Sequence, residues 1–291
     1  MAWFSFHGGH SGEFCRHAQG TLETILETAV ERGFTTYGVS EHAPKERARD
    51  LQSDEQDLTP EDTQATFRAY AGRALELREA FAGRLEVLVG FETETVPPDC
   101  FADSMRALRS QAPFDYVVGS VHHVGDWPID VSVELFEEAA RDLGGRDALD
   151  CAYFDQVAEM ATALRPQVLG HLDLIRLCQG QNPSFAPSTW PHIERALEAV
   201  SAAGSLLDIN AAPLRKNAGP VYPIPPILER AREMDIPVTL GDDSHGPDHV
   251  GLNLGASVRA IAAAGYREIH CLRRVDGAVR PEPVPIAEVK P

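Results

Sequence analysis

Residues 114–123 read Phe-Asp-Tyr-Val-Val-Gly-Ser-Val-His-His. Within them Tyr116–Val121 is a nearly unbroken apolar run that ends on an imidazole. Strands buried on both faces, as in helix-covered parallel sheets, give such runs in place of strict alternation. The same arrangement recurs on either side. Further strand candidates are Trp3–Phe6, Thr35–Ser40, Leu85–Phe91, Gln167–Gly170, Leu206–Asn210 and Pro237–Gly241, with a weaker one at Glu268–Leu272. Helical periodicity fills the intervals, among them Thr21–Arg32, Pro60–Phe81, Pro191–Ala203, Pro225–Glu233 and Gly255–Ala264. Several of these helices open with Thr, Ser or Pro. Gly33, Gly204 and Gly265 sit just past helical runs, where glycine favours a stop. Strand–helix alternation without a repeat or low-complexity linker predicts one α/β domain over 1–291, a parallel sheet or barrel. The acidic, glycine-bearing stretch Trp127–Ala152 reads as a helix plus a loop over the barrel mouth.

The bulk numbers narrow the class. With 291 residues, 43% apolar and 24% charged, the chain can bury a sizeable core without cross-links. Its cysteines, Cys15, Cys100, Cys151, Cys178 and Cys271, are scattered, odd in number and free of CxxC spacing, which predicts a reduced, cytoplasmic protein. No apolar leader precedes His7, and no stretch reaches membrane-span length. A formal net charge of −18 repels a phosphate backbone, so long nucleic acid is a poor partner. An anionic substrate would instead need a local positive source, and bound divalent ions are the strongest such source.

Candidate ligands gather at the strand ends. His7, His10 and His17 follow the first strand and His42 the second. Glu92 and Glu94 follow the third, and His122 and His123 the fourth. His171 ends the fifth, and Asp242, Asp243 and His245 follow the seventh. In a parallel barrel every strand C-terminus opens on one face, so these groups meet across the sequence. Taken singly, each histidine is more often a packed core residue, and each carboxylate a cap or a solvated charge. Taken together, six strand ends bearing His, Asp or Glu would repel one another or go unsatisfied without a metal. Eight or nine such groups exceed one tetrahedral ion and predict two to three divalent ions, with zinc, iron and manganese all suited. His192, His249 and His270 fall outside this pattern and read as structural or surface residues. His123 reads as outward-facing or a supporting residue behind His122, and Cys15, which soft metals could recruit, as a small buried hydrophobe.

In order along nearly the whole chain run His10-Ser-Gly-Glu-Phe-Cys-Arg-His17, Ser-Glu-His42-Ala-Pro, Val-Gly-Phe-Glu92, Val-Gly-Ser-Val-His122, Gly-His171-Leu-Asp, Asp-Ile-Asn210, Val-Tyr-Pro and Gly-Asp-Asp243-Ser-His245. This set resembles the polymerase-and-histidinol-phosphatase (PHP) superfamily and, within it, the histidinol-phosphate phosphatases. The resemblance implies a distorted seven-stranded (β/α) TIM-like barrel, which makes the weak eighth strand peripheral, and a trinuclear metal site. Carried over residue by residue, it gives His10, Glu92 and Asp243 to one ion. Glu92 bridges to a second ion with His122 and His171, and His17, His42 and His245 take a third. The family's His-x-His opening is altered, because Gly8 stands two before His10 while a histidine lies one place earlier, at His7. Regular strand alternation would put His7 and His10 on opposite faces, but an irregular Gly8-Gly9 turn can restore the facing. We expect His7 to join the ion of His10, Glu92 and Asp243; the alternative is that it packs elsewhere.

The activity implied is hydrolysis of a phosphomonoester, L-histidinol phosphate in histidine synthesis, with Asp243 or His245 moving a proton to the leaving oxygen. Arg176 and Arg215, the latter with Lys216, lie on the expected functional face as phosphate contacts. Glu13 would accept a substrate amine or imidazole, or cap its own loop. Two other readings compete: a PHP-type phosphodiesterase or nucleotidase on small nucleotides, and a metal-stabilised domain without catalysis. The sequence sets no oligomeric state.

Overall fold

The computed structural model describes residues 1–290. Seven parallel strands form one sheet in chain order: β1 Phe4–Ser5, β2 Thr36–His42, β3 Glu86–Glu92, β4 Tyr116–Gly119, then β7 Val168–Leu169, β8 Leu206–Asn210 and β9 Val238–Gly241. A small antiparallel hairpin, β5 His123–Val124 and β6 Trp127–Pro128, interrupts the series after β4. The sheet curls until its edges meet, since the amide of Phe6 donates to the carbonyl of Leu240 at 2.9 Å. The result is the expected distorted seven-stranded barrel.

Helices α1 Leu22–Glu31, α2 Pro60–Ala80, α3 Phe101–Arg109, α4 Val133–Asp142, α5 Arg146–Leu164, α6 Trp190–Ala203, α7 Ala212–Arg215, α8 Pro225–Glu233 and α9 Leu254–Ala263 complete the connections. Their starts follow local chemistry. Thr21 and Thr59 cap α1 and α2 through reciprocal side-chain bonds with Thr24 and Asp62, and Pro60 occupies the first turn of α2. Gly204 closes α6 at φ 73, a left-handed conformation that glycine adopts without a Cβ clash. No helix among the described residues is long and apolar enough to cross a membrane.

Two elements differ from the sequence expectation. Stretch 127–152 is not one helix with a loop over the mouth. It holds β6, all of α4, which buries Phe136, Ala139 and Ala140, and the start of α5. Only Asp130 and Val131 from this stretch line the cleft at the mouth. The weak last strand is β10 Glu268–Val275, longer than expected and paired antiparallel with β11 Ala278–Pro285. This hairpin lies outside the barrel sheet, at the N-terminal ends of the strands. There the Arg273 guanidinium contacts Thr36 and Glu86, and Thr239 Oγ1 donates to the carbonyl of His270. The C-terminal strand ends are left to the site.

Candidate metal centre

In-register pairing of β2 with β3 sets His42 beside Glu92 at the barrel mouth. The Glu92 carboxylate, 1% exposed, is the hub of the cleft. Its Oε1 lies 3.0 Å from His7 Nε2, 3.2 Å from His171 Nε2 and 3.3 Å from His122 Nε2. Its Oε2 lies 3.0 Å from His42 Nδ1 and 3.7 Å from His10 Nε2. Imidazoles from widely separated parts of the chain thus meet on one buried carboxylate.

His7 reaches this hub because the chain turns irregularly after β1. Gly8 and Gly9 take φ of 140° and 79°, which side chains with a Cβ rarely adopt. Ser40 Oγ and Ser244 Oγ receive the amides of Gly8 and Gly9 and hold the turn. The turn is then stitched to the β9 end, where Asp243 N donates to the His7 carbonyl at 2.8 Å and His10 N to that of Ser244 at 3.0 Å. Both imidazoles are fully buried and face the same cluster, and His10 Nε2 stands 3.9 Å from Asp243 Oδ1. Asp243 itself has φ 48, a conformation aspartate tolerates better than most residues.

Four overlapping groups place donor atoms within 4.8 Å of one another: His7, Glu92 and His171; His7, His10 and Asp243; His10, Glu41 and His42; and Cys15, His17, His42 and His245. His10 Nε2 and His42 Nε2, ring nitrogens at these groups, are buried without a hydrogen-bond partner. Buried polar atoms are seldom left so, and a divalent ion is the partner their chemistry fits.

The electrostatics agree with dense packing of opposite charge. Burial favours neutral His7, but Glu92 and Asp208 outweigh it and hold the imidazole well above its ordinary pKa. Burial likewise opposes an ionised Glu92, yet His7 and His122 pull that carboxyl well below the usual range. Asp243 is also held far down in spite of burial, by Lys216, His245 and His7. His245 goes the other way, pushed well below its usual value by burial and by His10.

Supporting carboxylates surround these groups: Glu94, one of the strand-end candidates, and Glu41 and Asp208, to which the sequence reading gave no role. Glu41 Oε1 lies 3.1 Å from His10 Nδ1, and Asp208 Oδ2 lies 2.7 Å from His7 Nδ1. Glu94 stands behind His122, near His122 Nδ1 at 3.4 Å and His123 Nδ1 at 3.6 Å, and is paired with buried Lys45. Glu41 and Asp208 do each precede a motif residue, His42 and Asn210, by one or two positions. That adjacency was the available signal.

The expected substrate contacts divide. Arg215 and Lys216 line a cleft of about 470 Å³ together with His17, His42, Glu92, His122, His171, Asp243 and His245. Arg215 donates to the carbonyls of Asp242 and Asp243 and is thereby fixed at the wall. Arg176 does not reach the cleft, which corrects the sequence expectation. It is fully buried, bonded to Asp173 and to the carbonyls of Ala218 and Pro220, and stacked on Tyr222. Glu13 accepts the amide of Leu22 at 2.6 Å at the start of α1 and also lines a side pocket shared with His17 and His42. His249 was read as structural or surface but stands at the cleft rim, its Nδ1 accepting the His245 amide. His192 pairs with Asp155 on the surface, and His270 stays in β10 away from the site.

The PHP domain model matches residues 8–212. The chain belongs to the PHP superfamily. Within that superfamily it is histidinol-phosphatase-like. A Schizosaccharomyces pombe protein described as "Probable histidinol-phosphatase" is 37% identical over 84% of this chain and 81% of the relative. One of the same description from Deinococcus radiodurans is 30% identical over 88% and 92%. The crystal structure of the "putative histidinol phosphatase hisK" of Listeria monocytogenes superposes with a TM-score of 0.74 at 25% identity, covering 87% of this chain and 98% of that one. A Lactococcus lactis histidinol phosphate phosphatase, solved with zinc, L-histidinol and phosphate, shares the fold at a TM-score of 0.69 and 17% identity, over 95% and 98%. Candidate metal groups in a PHP barrel make the chain a phosphatase-like hydrolase of this superfamily.

Proposed function

We propose that this chain hydrolyses L-histidinol phosphate to L-histidinol and phosphate, using two to three divalent ions of zinc, iron or manganese. The observation that carries the reading is the cluster of imidazoles around Glu92 at the floor of a cleft walled by Arg215 and Lys216. The relatives' shared description supplies the substrate. In this reading His7, His10, Glu92 and Asp243 hold one ion, Glu92, His122 and His171 a second, and His17, His42 and His245 a third. Such ions supply a water of lowered pKa and neutralise phosphoryl charge.

The chain's own groups do the rest. Arg215 and Lys216 draw the phosphate dianion to the mouth and orient it. Asp243 Oδ1 and His245 Nδ1 stand 3.6 Å apart beside Arg215, and we assign this pair to move the proton to the leaving oxygen. A side pocket of about 350 Å³ shares His17 and His42 with the cleft and offers Phe14, Phe67 and Glu55, a lining suited to an aromatic, cationic leaving group. Among the described residues the Lys and Arg side chains lining the cleft are Arg215 and Lys216, a local charge suited to a small phosphorylated substrate.

Turnover of histidinol phosphate, nucleotide monophosphates and dinucleotides by one preparation, with metal content measured on it, tests the proposal. We expect histidinol phosphate to have the highest kcat/KM. A higher value for a nucleotide would move the assignment to the phosphodiesterase or nucleotidase reading. Full activity in a metal-free sample would overturn it.

A further inference from the structure

Loop 11–18 bends back on itself after the glycine turn, with the amide of Cys15 on the carbonyl of Ser11 and that of Ala18 on the carbonyl of Cys15. This winding turns the Cys15 side chain and the His17 ring to the same side. Cys15 Sγ lies 3.3 Å from His17 Nε2, and donor atoms of Cys15, His17, His42 and His245 all fall within 4.8 Å of one another. For a tetrahedral ion with bonds of about 2.3 Å to sulfur and 2.0–2.1 Å to nitrogen, adjacent sulfur and nitrogen ligands sit about 3.6 Å apart. The observed spacing is therefore close to what one shared ion requires. His42 Nε2, buried and without a partner, is a further donor left over at this group.

We propose that Cys15 is a ligand of the third ion, completing a one-cysteine, three-histidine set with His17, His42 and His245. The inference rests on the metal-centre reading above and deepens it. It also reverses the sequence preference for Cys15 as a small buried hydrophobe over a residue recruited by a soft metal. On coordination the S–H bond breaks, its proton passes to solvent, and the sulfur lone pair goes to the ion; no electron changes hands. Two consequences follow. Four protein donors fill a tetrahedral shell, so this group suits an ion without a solvent ligand, unlike groups built on Glu92. A thiolate also discriminates by softness, favouring zinc or iron over manganese at this one position.

The test uses the full chain loaded with cobalt(II), its bound cobalt counted by elemental analysis. We expect a thiolate-to-cobalt charge-transfer band in the near ultraviolet, which Cys15→Ser removes. Zinc affinity at the Cys15 group should fall by roughly tenfold or more in Cys15→Ser, while manganese affinity changes little. Circular dichroism and thermal melting of Cys15→Ser establish that the variant folds, and Cys271→Ser, remote from the cleft, should keep the band. Full cobalt occupancy without the band, or a band that survives in Cys15→Ser, overturns the Cys15 assignment and leaves the metal centre standing. A chain that binds no cobalt overturns both.

Discussion

His7 Nδ1 stands 2.7 Å from Asp208 Oδ2, with both side chains fully buried and 201 positions apart in sequence. The same carboxylate takes Asn210 Nδ2 at 2.9 Å and the His171 amide at 3.4 Å, so one side chain orients two histidines of the hub. When an ion displaces the Nε2 proton, the proton held on Nδ1 by Asp208 keeps the Nε2 lone pair aimed at the cluster, as a ligand needs. Asp208→Asn should therefore weaken metal binding by about 10–100-fold while the chain stays folded. His7→Ala should lose an ion outright. Chelator competition with both variants checks this; unchanged stoichiometry and affinity in His7→Ala would mean that His7 packs beside the centre without serving it.

The glycine turn carries a second expectation. A Cβ on Gly8 would meet Asp242 Oδ1 and lie 2.7 Å from Ser244 N, in a backbone at φ 140. Gly8→Ala should cost about 1–3 kcal/mol in strain alone and push the Asp243 loop away from His7. Stability and metal content should fall together. Gly83→Ala is the control, for Gly83 also has positive φ (83°) but nothing within 4 Å of its would-be Cβ. It should lose stability only, so equal metal content in both variants would count against the turn's role in placing His7.

The barrel was readable from sequence because its strands are short apolar runs whose ends carry imidazole or carboxylate, as at Glu92 and His122. The α5 helix was harder to read. It packs against α3, α4, α6 and β4, so apolar residues from Leu149 to Ala161 occupy several of its faces and blur the helical period. Arg176 was misplaced because residue type and loop position cannot tell a phosphate contact from an internal clamp. That distinction depends on the carbonyls of Ala218 and Pro220, over forty residues away. Glu41 and Asp208 were passed over for a related reason: they act on imidazole nitrogens that only the fold brings near.

Asp150 gives a pH-dependent expectation outside the site. It is 2% exposed on α5, and burial pushes its carboxyl up to about 7, partly countered by the Gln179 amide at 2.9 Å. A raised folded pKa means the protonated form is favoured by folding. That stability is present in full below the unfolded value, near 4, and is lost as pH rises to about 7. Asp150→Asn keeps an oxygen for Gln179 and carries no charge. At pH 8 it should be more stable than the parent, by at most about 4 kcal/mol, and the gap should close near pH 4. Urea unfolding of both proteins across that range decides it; a gap that does not vary with pH would show that Asp150 is no more burdened by charge than an exposed carboxylate.

Arg176 and Lys216 should separate stability from substrate binding. Arg176 spends its donors at 3.0 Å on Asp173 Oδ2 and at 2.6 Å on each of two carbonyls, all away from the cleft. Removing it strands the buried Asp173 carboxylate, whose remaining partner is the Ile224 amide. Arg176→Ala should cost about 3–5 kcal/mol, as breaking a buried pair does, yet leave KM unchanged in the protein that folds. Arg176→Lys restores the charge but not the planar fork reaching both carbonyls, and should recover only part of the loss. Lys216 is exposed at the cleft, where its charge helps to hold Asp243 ionised. Lys216→Ala should change stability by no more than about 0.5 kcal/mol. Its KM for a phosphomonoester should rise about tenfold, the worth of one lost charge-assisted bond. Denaturant melts and steady-state kinetics on the same preparations read both effects. If Arg176→Ala raised KM and Lys216→Ala did not, the phosphate would have to be held on the other side of the barrel mouth.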